Sequence, residues 1–202
     1  MSACHLMRSY VKLVVGILLM TGGGVGLLHA VRAAQSAWGY YRAHYAAGAA
    51  SPDEVLRLCE RAYRTYPENH WLCLWAADAA FQDRDSGSKQ HWQRRLDETE
   101  LWTGRGLLRN PYDARLRELK ARLLVRRSPA EAVAYWREYL DWSFWSPEHH
   151  LVMLQLCLAA DDFAGAMESL RWLKGTSKEA EGRGLVRQAW AWEMKESRKA
   201  EK

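Results

Sequence analysis

The chain lacks the residue patterns on which most catalytic and metal-binding sites are built. Seven His and four Cys are present, but no Cys-x-x-Cys pair or His-Glu-x-x-His run gives them zinc-ligand spacing. No Gly-x-Ser-x-Gly elbow, P-loop or dinucleotide glycine pattern lies in the polar part of the chain. Gly104-Arg105-Gly106 and Gly182-Arg183-Gly184 lack the strand that a phosphate loop requires. The acidic pair Asp161-Asp162 reads as a turn, where Asp bonds its own backbone. His149-His150, beside Glu148, reads as part of a surface loop. Catalysis therefore has no positive support, and the chain is expected to be no enzyme, with no cofactor and no metal. Alternating β-branched runs are also missing, which argues against strands. Charge of one sign is absent too: 29 basic residues face 24 acidic ones, for a net +5. Nucleic-acid binding is not implied by so mixed a surface, although an anionic membrane or an acidic partner is permitted.

What the chain does have is helix punctuation. Residues 51–69 read SPDEVLRLCERAYRTYPEN. Ser51 can cap a helix, Glu54 can complete a capping box, and Pro52 suits the first helical position. Val55, Leu58, Cys59, Ala62 and Tyr63 then fall on one face, Pro67 stops the run, and a second helix follows from Trp71. Ser128-Pro129-Ala130-Glu131 and Ser146-Pro147-Glu148 repeat the start signal. Cys59 and Cys73 flank the Pro67 turn at similar height in such a hairpin. Two readings follow, a disulfide outside the cytosol or two small core residues.

One long apolar run stands near the N-terminus. Residues 13–28 carry no charge, and 13–31 make 19 residues, roughly 28 Å of helix, close to the hydrocarbon thickness of a bilayer. A retained signal anchor competes with a signal peptide cut after Ala33; the Arg32 in that site and the length of the run favour the anchor. Gly22 and Gly26 have the spacing that lets membrane helices approach closely. Arg8, Lys12 and the amino terminus, against Arg32 and Arg42, lean towards a cytoplasmic N-terminus and an extracytoplasmic (periplasmic) bulk.

A longer self-similarity joins these hairpins. Ala62-Tyr63-Arg64-Thr65-Tyr66-Pro67-Glu68-Asn69 matches Gly106-Leu107-Leu108-Arg109-Asn110-Pro111-Tyr112-Asp113 in pattern, 44 residues on. This resembles the end of a tetratricopeptide repeat, with its small packing residue and closing proline. Trp38, Tyr41 and Tyr45 resemble the large positions of that repeat's first helix, and Asp162-Phe163-Ala164-Gly165-Ala166 its inter-helix turn. The spacing exceeds the usual 34 residues, with the excess expected in residues 82–90. In the third unit Phe144 replaces the closing proline and Pro147 comes three residues late.

The expected fold is all-α: a tetratricopeptide-like solenoid of about four helix pairs over residues 35–175. A capping helix and charged tail follow over 176–202, and a polar tail (1–12) and one transmembrane helix (13–31) precede it. The resemblance implies a concave groove lined by the first helix of each pair. There Arg115, Glu118, Arg122 and Arg126 form a stripe that would hold an acidic peptide, with Trp71 as an aromatic wall. A solvated face with an ordinary Glu118–Arg122 pair is the competing reading. Residues 135–145, YWREYLDWSFW, hold the densest aromatic cluster. Trp136, Tyr139 and Leu140 share one face for packing, so Trp142, Phe144 and Trp145 cannot all be buried with them. The expected partners are proteins, an integral-membrane protein or an acidic peptide among them. Two functions compete: an envelope scaffold in a bacterium, or an accessory subunit of a membrane enzyme such as one making surface polysaccharide.

Overall fold

Five short polar side chains set the starts of helices in this chain. The amides of Glu54, His91, Leu116, Glu131 and Gly165 donate to the side chains of Ser51, Ser88, Asp113, Ser128 and Asp162, at 2.9–3.3 Å. Each bond satisfies an amide that has no partner inside its own helix. Ser146 differs: its hydroxyl turns to Glu148 at 3.1 Å, and Pro147 alone marks the start. Pro147 thus opens a helix and closes none, while Phe144 caps the helix before it.

A computed structural model describes the backbone of residues 3–45, 51–83 and 87–200, and the side chains of 14–39, 41–42, 51–83 and 87–192. Among these residues the chain is all-helical: α1 (Ala3–Tyr45), α2 (Pro52–Thr65), α3 (His70–Asp83), α4 (Lys89–Arg109), α5 (Ala114–Val125), α6 (Pro129–Ser143), α7 (Pro147–Ala159), α8 (Phe163–Leu173) and α9 (Glu179–Ala200). Each helix packs on the next. In addition α3 touches α5, α5 touches α7 and α7 touches α9. Thus α3, α5, α7 and α9 stack as an inner row and α2, α4, α6 and α8 form the outer row, a ladder of helical hairpins with α1 packed on α2 at one end and α9 closing the other.

Small residues let these rows approach closely. Gly39 on α1 faces Ala62 on α2, where an added Cβ would lie 3.4 Å from that of Ala62. Gly106 on α4 sits where a Cβ would meet Leu116 at 2.5 Å and Cys73 at 3.0 Å. Ala62 and Gly106 are the two small residues of the 44-residue pattern, and each marks a helix crossing. Ala76, Ala77 and Ala80 of α3 are themselves fully buried against the neighbouring helices. A second core, around Trp136, Leu151, Leu154, Cys157, Ala166 and Leu173, joins α5 to α9. The cap works through Gly182 and Val186, both buried, while Trp190 of the same helix stands exposed.

Three expectations change. The extra length of the second unit resides in α4, 21 residues against 14 in α2, and only residues 84–88 connect α3 to α4. The N-terminal tail, the apolar run and the first helix of the array are one 43-residue helix; no proline interrupts it. On that helix Ser36 and Gly39 meet α2, whereas Trp38 and Tyr41 are exposed. Close backbone approach chose the small face over the large one. Tyr45 lies outside the described side chains.

Cys59 and Cys73 are both buried, and in the structure both are free thiols. Burial pushes the Cys59 thiol up to about 12, with the nearby Cys73 adding to the effect. Burial likewise pushes Cys73 and Cys157 to about 11. All three are thus expected to resist iodoacetamide in the folded protein and to react fully on denaturation. Mass spectrometry of alkylated, unreduced protein checks this, and a bridged Cys59–Cys73 peptide would contradict it.

Candidate partner-binding surface

The inner row places Trp71 and Asp78 two helical turns apart on α3, about 10 Å along its axis. Arg115 of α5 reaches across to Asp78 at 3.1 Å and down its own helix to Glu118 at 3.0 Å. Arg122 holds the other oxygen of Glu118 at 2.6 Å. Burial works against the Arg115 charge, but Asp78 and Glu118 outweigh it and raise its pKa above the ordinary arginine value. Two arginines thus face two carboxylates, and the cluster is internally neutral. An acidic ligand would have to displace Asp78 or Glu118 to claim a guanidinium.

Arg126 departs from the stripe. It occupies the C-cap of α5, and its guanidinium lies 4.9 Å above the Trp92 ring of α4. A cation over an indole face is itself a satisfied contact. Trp71 stands exposed at the start of α3, its ring 5.0 Å from that of His70. The structure therefore brings Arg115, Glu118 and Arg122 together with Asp78. Trp71 heads the same inner face, and Arg126 leaves it.

The aromatic segment divides as its spacing implies. Trp136, Tyr139 and Leu140 are buried; Trp142, Phe144 and Trp145 are all exposed. The neighbouring His149-His150 pair is no surface loop. Both residues sit in the first turn of α7, tucked against the end of α6. His150 Nε2 lies 2.6 Å from the Phe144 carbonyl, and its ring stacks on Trp172 at 5.0 Å. His149 Nδ1 lies 2.6 Å from the Ser143 hydroxyl. These contacts hold the α6–α7 turn in place.

A groove of about 440 Å³ opens between α6 and α8 on the outer row. Phe144, His150 and Trp172 form its aromatic end, and Arg137, Asp141 and Glu168 line its polar side. The glycine floor is Gly165, in contact with Asp162 and Cys157. Sequence reading missed this groove because its walls come from two hairpins, with no spacing rule joining Phe144 to Trp172. Among the described residues no group of three or more His, Cys, Asp or Glu could hold a metal ion.

Residues 14–32 of α1 are exposed almost throughout. Residues 14–39 are long and apolar enough to cross a membrane, and the apolar window in them is unburied. Ser36 and Gly39 pack on α2, so the free segment ends near residue 32. Nothing lies within 4 Å of a Cβ built on Gly22 or Gly26.

Fold and surface together define an all-helical hairpin array carried on a single exposed apolar helix. No family model matches the chain, and comparison with curated proteins and with solved structures finds no match.

Proposed function

We propose that this protein is a membrane-anchored, non-enzymatic scaffold whose tetratricopeptide-like array recruits other proteins, within an envelope assembly of a bacterium. One observation carries the reading: α1 is exposed and apolar over residues 14–31 and packs on α2 of the array around Gly39, in one unbroken helix. Such a helix couples a lipid-soluble segment to a stacked-hairpin surface without a linker. Confinement to a membrane raises the effective concentration of weak contacts on that surface. The orientation that best fits the flanking charges puts the N-terminus in the cytoplasm and the array outside it. Protein partners are expected along the α3–α5 face, with an acidic segment exchanging against Asp78 or Glu118.

A second reading, an accessory subunit of a membrane enzyme, draws on the open Gly22–Gly26 face of α1. There a neighbouring helix in the bilayer would find room for close packing.

The test is crosslinking capture from native membranes with the full chain, beside a chain lacking residues 1–32. The full chain is expected to resist alkaline carbonate extraction, and the truncated one to become soluble while keeping its partners. A full chain released by carbonate would remove the membrane from the proposal. Partners lost with residues 1–32 would favour the accessory-subunit reading.

A further inference from the structure

The turns that lead from the outer row back to the inner row all lie along one edge of the array, and contacts join them in sequence. Arg109 pairs with Glu68 at 3.0 Å, and Asn110 meets His70 at 3.3 Å. The Tyr112 ring packs on Trp142 at 5.0 Å, and the Tyr139 hydroxyl donates to the Tyr112 carbonyl at 3.5 Å. His150 stacked on Trp172 carries the line to the end of α8. Along this edge Trp71, Tyr112, Trp142, Phe144, Trp145 and Trp172 are each more than half exposed.

The opposite edge has a different composition. There α3 runs out towards α4, α5 into α6 and α7 into α8; Leu101 is exposed midway along α4, but the described residues of those turns, 87–88, 126–128 and 160–162, include no large apolar side chain. Its surface is charged: Asp53 and Arg94 stand 3.8 Å apart, and Arg127 grips Glu100. Trp190 and Trp192, in the second half of α9, are exposed as well and stand at the far end of that helix from the aromatic line. Aromatic side chains gathered on one edge of a soluble array call for a covering surface.

The first helix says which surface. α1 runs antiparallel to α2, with Gly39 beside Ala62 and the His29 ring 6.2 Å from Tyr66. Tyr66 belongs to the first of the edge turns, so the exposed apolar half of α1 leaves the array through the aromatic edge. The last residues of the free segment, 29–32, stand level with that turn.

We infer that this edge rests on the lipid headgroup layer of the membrane that α1 enters, with the six aromatic side chains seated in the interface. The inference rests on the membrane reading of α1 given above. Indole and phenol rings suit this depth, since each buries an apolar body and keeps a polar group in the hydrated layer. Contact along the edge would add to the anchor and turn the inner face of α3, α5 and α7 across the bilayer surface.

The experiment uses the full chain with Cys4→Ser, in vesicles of phosphatidylcholine and phosphatidylglycerol. The remaining thiols are buried. Tyr112→Cys and Trp145→Cys report on the edge, Lys89→Cys on the opposite edge and Leu19→Cys on the free half of α1. Each site carries an environment-sensitive fluorophore, quenched by lipids bearing a nitroxide on the headgroup or along the acyl chain, or by aqueous iodide. The proposal expects headgroup quenching several-fold stronger at 112 and 145 than at 89, with acyl-chain quenching at 19. Equal, weak lipid quenching at 112, 145 and 89, with 19 quenched by acyl chains, would overturn the edge and leave the anchor standing. Sites 112 and 145 shielded from lipid and iodide alike would overturn it in favour of a second copy on the edge. Absence of acyl-chain quenching at 19 would instead remove the membrane reading, and the edge with it.

Discussion

Replacing Arg95 with methionine is expected to lower stability by about 3–5 kcal/mol, among the largest effects of any single change here. Arg95 is the one buried guanidinium among the described side chains, and it joins three helices. Its Nε donates to Asp83 of α3 at 2.7 Å, one terminal nitrogen to Glu98 at 2.7 Å and the other to Asp53 of α2 at 2.9 Å. Burial opposes the charge, but the bonds to Glu98, Asp83 and Asp53 outweigh it and raise the pKa. Methionine fills much of the volume yet leaves carboxylates gathered around a missing cation. Lysine should rescue little, because a single ammonium cannot fork to three helices. Adding Asp83→Asn and Glu98→Gln to the methionine variant should recover part of the loss. Thermal melting of the full chain in detergent, followed by circular dichroism, measures all three. A methionine variant that melts with the native chain would show that the cluster contributes nothing.

Trp136→Ala is expected to cost a similar amount, about 3–5 kcal/mol, from the other half of the array. The indole is fully buried, 5.0 Å from the Tyr139 ring and edge-on to His149 at 5.8 Å. Its Nε1 donates to the His149 carbonyl at 2.9 Å, so truncation creates a cavity and strips that carbonyl of a partner. A pH signature separates this site from others. Burial holds the His149 imidazole below its ordinary pKa, against the opposing pull of Ser143 and Glu148. As pH falls through the ordinary imidazole range, the unfolded chain takes up a proton that the folded chain refuses, and stability drops. Trp136→Ala admits water and relaxes the shift, so the variant should lose less on acidification than the native chain does. The same melting measurement, repeated across that pH range, reads both effects; an unchanged acid limb would detach His149 from this core.

Local signals carried much of the fold. Ser51-Pro52 and Ser128-Pro129 open helices where their capping chemistry says they should. Ala62 and Gly106 mark helix crossings, since only small residues permit them. Features set by distant partners were illegible. Arg95 has no visible reason in the sequence to be buried; its reasons, Asp53 and Asp83, lie on other helices. The Arg115–Arg122 stripe reads as open cationic surface because Asp78, 37 positions away, neutralises part of it. On α1 the apolar character runs all round the helix, so periodicity could not say that Ser36 and Gly39 would face α2. The edge was illegible for a third reason: exposed aromatics in separate turns become a line only once the hairpins stack.

The unbroken course of α1 has a consequence for how its length can vary. At 3.6 residues per turn, each residue added between residue 32 and the Gly39 contact would swing the array by about 100° around the helix axis. It would also lift the array by about 1.5 Å. This short stretch therefore acts as an angular gauge. Insertions of a whole number of turns would preserve which way the array faces at the cost of height, and any other length would point it elsewhere.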